Sequence, residues 1–154
     1  LKRISLCVTS SLVLACAPAA HAHIVDNVLE HSAPNAALQL TPIGSHESGV
    51  LGKSAAEIVA YHAASQRVLT VNARSGEIDI LDASDPTQPQ KIGAISAGGD
   101  KEINSVAVRP DGLAVAAVQQ ADKTDNGEAL FFNAATGQEL GRVGVGALPD
   151  NVHL

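Results

Sequence analysis

The stretch VNARSGEIDILDASDPTQPQKIGAIS, residues 71–96, decides how the whole chain is read. An apolar run closes at a Ser75-Gly76 turn signal. A second, alternating run, EIDILDA, follows over 77–83. An Asp/Pro-rich break, SDPTQP, interrupts it, and a third run, QKIGAIS, covers 90–96. Alternation at period two marks a strand with one buried face, and Gly, Pro, Asp and Ser between such runs are turn formers. Within the second run Ile78, Ile80 and Asp82 share one face, and Asp79, Leu81 and Ala83 the other. Upstream, EIVAYH (57–62), a break at Ala64-Ser65 and RVLTVNA (67–73) complete the pattern. Four strands joined by short hairpins make one antiparallel meander.

The same order then repeats. NSVAVRP (104–110), the turn PDG, LAVAAVQQ (113–120), the break ADKTDNG, EALFFNA (128–134), the break ATG and QELGRVGVG (138–146) again give four strands. Setting Val59 and Tyr61 on Val106 and Val108 gives a period of 47, and moving on to Val152 and Leu154 gives one of 46. Four-stranded propeller blades repeat at about 40 to 50 residues. A sandwich or barrel with evenly spaced strands is the competing fold, but it has no reason to repeat a whole cassette in register. The fold class read from the sequence is therefore all-β: a β-propeller fragment of two four-stranded blades and the first strand of a third.

Residues 1–22 read as a signal peptide. Lys2 and Arg3 precede a short apolar run, and Ala20-His21-Ala22 supplies a small-x-small cleavage site. The apolar run is interrupted by Thr9, Ser10, Ser11 and Pro18, whereas a membrane span needs about 20 apolar residues. The mature chain is thus expected to carry no span. Both cysteines, Cys7 and Cys16, lie in this segment, so cleavage after Ala22 leaves no disulfide. VLAC, ending at Cys16, offers the alternative of a lipid-anchored terminus, although Leu14 fits a lipobox poorly. Residues 23–42 show no sustained period and read as a lead-in, with one short strand expected over 37–40. The propeller portion is read over 43–154. His21, His23 and His31 lie too loosely, in polar sequence, to read as a metal site.

Losing residues 1–22 removes Lys2 and Arg3 and no acid, which moves the formal charge from −6 to −8. So acidic a chain repels nucleic acid, and one Tyr, two Phe and no Trp leave few platforms for stacking bases. The hydrophobic share of 45% still supports a packed core of Val, Ile, Leu and Ala.

The segments LTPIGSHESGV, SAAEIVAY, VNARSGEIDILDASDPTQPQKIGAI, NSVAVRPDGLAVAAV and VGALPDNV follow one another in the order found in the choice-of-anchor I family. From about Leu40 to Leu154 the chain resembles the start of that family's propeller domain, that of the bacterial relatives of mesenchyme-specific cell-surface glycoprotein. More distantly it resembles YVTN-type, lactonase-like propellers. The resemblance implies an exported protein, periplasmic, secreted or held at the cell surface. It also implies that this chain is the N-terminal fragment of a longer one.

One candidate site emerges from the repeat. Glu57, Asn104 and Asp150 each stand two residues before the aligned valines, at the start of a blade's innermost strand. Oxygen ligands delivered once per blade to a common axis suit Ca²⁺, which collects 6 to 8 of them. In lactonase-like propellers such a cation activates water or polarises a carbonyl. The competing reading makes the three residues strand-end caps.

Other motifs carry less. DKTDNGE (122–128) lacks the ligand set of a calcium loop and reads as a hairpin turn at Asn126-Gly127. His46, Glu47 and Ser48 have the residue types of a catalytic triad, but neighbours in an extended chain alternate in direction and do not converge. No G-x-S-x-G is present, and SAGGDK (96–101) has neither Walker nor Rossmann spacing. Two functions follow: an exported module binding a protein or glycan ligand, or a metal-dependent hydrolase of lactonase or phosphatase type. The first testable outcome is export: expressed from residue 1 in a bacterial host, the protein leaves the cytoplasm with His23 as its new terminus. Intact mass checks this, and a diacylated Cys16 species would establish the lipoprotein instead.

Overall fold

The computed structural model describes residues 35–38, 40–48 and 55–154. Among the described residues eight strands lie in chain order: β1 (Val59–His62), β2 (Arg67–Asn72), β3 (Glu77–Asp82), β4 (Gln90–Ser96), β5 (Glu102–Val108), β6 (Leu113–Gln119), β7 (Asn126–Asn133) and β8 (Glu139–Ala147). They form two four-stranded antiparallel sheets, ordered β1-β2-β3-β4 and β5-β6-β7-β8, so each sheet is one meander. This is the all-β architecture expected of a propeller fragment. The signal segment, both cysteines and His21, His23 and His31 lie outside the described residues.

The sheets pack face to face. Leu69, Val71, Ile78, Ile80 and Ile95 of the first meet Val106, Ala114, Ala116, Val118, Leu130 and Phe132 of the second in one buried cluster. The inner strands carry the junction, with β5 set against β1, β2 and β3. Small alanines on β6 let the larger Ile and Leu side chains approach its backbone, and Phe132, fully buried, fills the remaining volume. At the β7–β8 turn Gly137 adopts φ +72°, and a Cβ there would stand 2.8 Å from Ile80 Cδ1. Glycine is required on both counts, and the turn of one sheet thereby closes on the core of the other.

Polar contacts lock the same junction at two further points. His62, buried at the end of β1, lies 3.2 Å through Nε2 from the Pro110 carbonyl and 2.6 Å through Nδ1 from Ser65 Oγ. A carbonyl only accepts, so Nε2 carries the hydrogen shared with Pro110. On the outer side, Arg142 of β8 donates to the Ala97 carbonyl at 2.8 Å and pairs with Glu128 at 3.0 Å, and Lys101 takes the other Glu128 oxygen at 2.9 Å. Hydrogen bonds from Lys101 and then Arg142 hold the Glu128 carboxyl below its ordinary value.

Three expectations are corrected. The described residues Ala37, Leu38 and Leu40 form no strand; the leucines are exposed and no neighbouring strand offers a ladder. The 121–127 turn does not sit on Asn126-Gly127. Asp122 Oδ1 accepts from both the backbone N–H and the hydroxyl of Thr124, which places the turn at 122–125. Asn126 then opens β7 opposite Ala147, and Gly127 falls at a bulge where a Cβ would strike Pro149 and the Val118 carbonyl. Residues 151–154, expected as the first strand of a third cassette, pair with no strand here; they run beside β5, tied by Ser105 Oγ to Asn151 Oδ1 at 3.2 Å.

Two outcomes follow. Phe132→Ala removes the largest fully buried side chain and should cost about 3–5 kcal/mol, read as lost hydrogen-exchange protection across β6 and β7. Glu128 is also a pH probe. Its folded pKa is depressed, so its stabilisation is present above the unfolded value near 4.5 and fades as pH falls through the folded one. The melting-temperature gap between wild type and Glu128→Gln should therefore be widest near neutrality and shrink steadily below about pH 4.5.

Candidate functional site

Glu57, Asn104 and Asp150 fall at the same end of their repeats, as the 46–47-residue spacing requires. Glu57 lies just before β1, exposed, with its backbone N–H bonded to the Val71 carbonyl at 3.1 Å. Asn104 sits in β5 at the irregularity between Ile103 and Ser105, half-buried. Its Nδ2 donates to Gln119 Oε1 at 2.8 Å and to the Pro149 carbonyl at 3.0 Å. Asp150 follows Pro149 directly and is exposed. The structure thus brings Asn104 and the Asp150 backbone region together through a side-chain-to-backbone bond, while the Asn104 amide nitrogen is spent on Gln119 and Pro149. Gln119 in turn donates to Glu102 Oε2, so a polar chain runs from Glu102 through Gln119 and Asn104 to the 149–151 segment. Among the described residues no three His, Cys, Asp or Glu side chains gather as a metal nest.

A second polar region was not anticipated. Residues 46–48 cross the face of the first sheet that points away from the second sheet, and a cleft of about 310 Å³ opens between them and the outer strands. His46, Glu47 and Ser48 form one wall; Asn72, Arg74, Asp79 and Lys91 are the charged and amide groups opposite. Residues 40–48 belong to no strand. Asp79 is the anchor of the cleft. It is 5% exposed in the middle of β3, accepts from Asn72 Nδ2 at 3.1 Å, and lies 2.6 Å from Lys91 Nζ. The lysine contact is Coulombic rather than a directed hydrogen bond, since Oδ1 has no well-angled donor. A buried carboxylate left without compensation would be expensive; here an amide and an ammonium supply it.

The signal for this region was in the sequence. Asp79 interrupts the apolar strand IDIL at a position whose counterpart in the second sheet is Leu130: Thr70 pairs with Asp79 as Ala116 pairs with Leu130. An acid at a core position of a repeat is a departure that alternation alone reads only as a solvent-facing residue. What the sequence does not carry is the crossing of residues 44–48 over that face, where the Gly44 backbone lies against the Pro86–Thr87 backbone of the β3–β4 loop.

No helix among the described residues is long and apolar enough to cross a membrane. No curated protein matches the chain. A family model for the choice-of-anchor I domain matches residues 57–154, from the lead into β1 through both sheets to the last residue. With two meanders in one register and that match covering most of its length, the chain belongs to the choice-of-anchor I family, a family of exported or cell-surface proteins.

Proposed function

We propose that the chain is an exported binding module, the opening portion of a β-propeller that presents its loops to a protein or glycan ligand in the periplasm or at the cell surface. Residues 1–22 act as the signal peptide, 23–42 as the lead-in and 43–154 as the partial propeller. The observation that carries this reading is the in-register packing of two four-stranded meanders within the family match. Successive blades placed this way aim their inner-strand starts at one axis and their hairpins at two rims, where ligands are taken.

The cation site belongs to the same reading. With Asn104 Nδ2 held by Gln119 and Pro149, its Oδ1 is the atom left to face a cation, together with the exposed carboxylates of Glu57 and Asp150. Bound Ca²⁺ would relieve carboxylate repulsion and stabilise the folded form by mass action. The hydrolase alternative has no observation in its favour among the described residues.

One set of unfolding curves tests both parts. A propeller fragment with uncovered faces should associate or unfold over a broad range, and a sharp one-step melt of a monodisperse monomer would overturn the fragment reading. Calcium should raise the melting temperature over chelator, and Glu57→Gln or Asp150→Asn should largely abolish the rise. Equal responses in wild type and both variants would make the three residues strand-end caps.

A further inference from the structure

The β2–β3 hairpin ends the first sheet at one rim, and Asn72 ties that turn to the floor of the polar cleft. The Asn72 carbonyl accepts from the backbone N–H groups of Ser75 and Gly76 at 3.2 and 3.1 Å, and its Oδ1 accepts from Ser75 N–H at 3.4 Å. Its Nδ2 donates to Asp79 at 3.1 Å. Asn72 and Asp79 are both buried, so one side chain sets the turn that carries Arg74 against a buried carboxylate. A site held in this way is formed before any ligand arrives.

The charges around the cleft are unevenly matched. Asp79 is committed to Asn72 and Lys91. The Lys91 ammonium has three donors and its side chain is 40% exposed; beyond Asp79 it meets no acceptor among the described residues. Arg74, exposed on the hairpin, has no ion pair among the described residues, and neither has Glu47 on the opposite wall. The cleft therefore offers unmatched cationic donors on one side and an unmatched carboxylate acceptor on the other. Of the described residues that line it, only Ala55 is apolar, so a hydrocarbon or aromatic ligand gains little. Its volume of about 310 Å³ is at the small end of ligand cavities, about 300–1,000 Å³, and suits one sugar residue.

We propose that this cleft is the subsite for one carboxylated sugar residue, a uronate or a sialate, of a glycan ligand. The proposal rests on the binding-module reading above and selects the glycan from its two ligand classes. Arg74 takes the ligand carboxylate, since a guanidinium presents two parallel donors to it. Lys91 donates to the sugar oxygens with the hydrogens Asp79 leaves over, and Glu47 accepts from a hydroxyl. A neutral sugar leaves the Arg74 guanidinium unmatched. An ammonium-bearing ligand finds Asp79 already neutralised by Lys91. A carboxylate without hydroxyls uses only one side of the cleft.

The test is a set of saturation-transfer NMR titrations of the whole chain, expressed from residue 1, with D-glucuronate, N-acetylneuraminate, D-glucose and acetate. This readout follows the small molecule and tolerates an associating protein. At least one of the two sugar acids should bind with a dissociation constant on the order of 1 mM, about tenfold or more below those of glucose and acetate. Which of the two responds names the sugar acid. Arg74→Ala should weaken that binding about tenfold, down to the level of glucose, and Arg74→Lys should fall between. Lys123→Ala removes an exposed cation from the corresponding β6–β7 hairpin and should leave binding as in wild type. Circular dichroism should show the same strand signature in all three variants, because each replaces an exposed residue. Equal binding of glucuronate, neuraminate and glucose, acetate binding as tight as either sugar acid, or binding indifferent to Arg74→Ala would each overturn the proposal. So would no binding of either sugar acid, which leaves an exported module with a protein ligand intact. A chain retained in the cytoplasm would overturn the module reading, whatever the cleft takes.

Discussion

The contact between Ile80 and the β7–β8 turn at Gly137 shows in miniature what the molecule depends on: neither meander can shelter its apolar face alone. A four-stranded antiparallel sheet has two faces and short loops, and a sheet of Val, Ile, Leu and Ala gains stability only when one of those faces is covered. Here each sheet is the other's cover. Leu69, Val71, Ile78 and Ile80 reach across to a floor of alanines on β6, and Leu130 and Phe132 reach back. The polar contacts sit at the margins of that apolar junction. His62 bridges to the Pro110 carbonyl at one end, and Arg142 reaches the Ala97 carbonyl on the outer side. Directional bonds of this kind select one rotation between the sheets from the many that apolar packing alone would tolerate.

Strand existence was legible because one face is buried and the other is not. Period-two alternation follows directly from that asymmetry, and β4 falls at 90–96, the stretch the alternation marks out. The failures share a physical cause. At 37–40 and 151–154 the sequence is apolar enough for a strand, yet a strand exists only where a partner offers a ladder, and pairing is not a property of a segment. At 122–128 an Asn-Gly pair looked like the turn. The Asp122 carboxylate, accepting twice from Thr124, fixed the turn three residues earlier and left Asn-Gly to make a bulge.

The repeat gave more than the strands did. Aligning Val59 with Val106 is a statement about sequence, and the pairings place both residues on the same face of their respective sheets. That equivalence lets burial be compared position by position. It shows why Val59 and Tyr61 are exposed: nothing among the described residues stands where the first sheet itself stands for Val106 and Val108. The polar cleft was legible only in part. Asp79 announces itself as a departure from the repeat, but its neighbours His46 and Glu47 are more than thirty residues away in sequence and arrive through a segment with no periodicity to read.

Asp79 and Leu130 carry the contrast furthest. They occupy one backbone position of the repeat and both are buried, at 5% and 0% exposure. Leu130 is covered by another sheet, whose apolar side chains can only reward another apolar group. Asp79 is covered by an extended segment carrying His46, Glu47 and Ser48, and is flanked by Lys91 and Asn72, so polarity above it is matched by polarity below. A leucine at 79 would leave the Asn72 amide without its acceptor and Lys91 without its counter-charge, and a carboxylate at 130 would be stranded among Ala116, Phe132 and Ile80. Burial at this position of the repeat therefore does not decide the residue type; the chemistry of the covering layer does, and that layer changes from a polar strap outside any strand on the first sheet to a packed meander on the second.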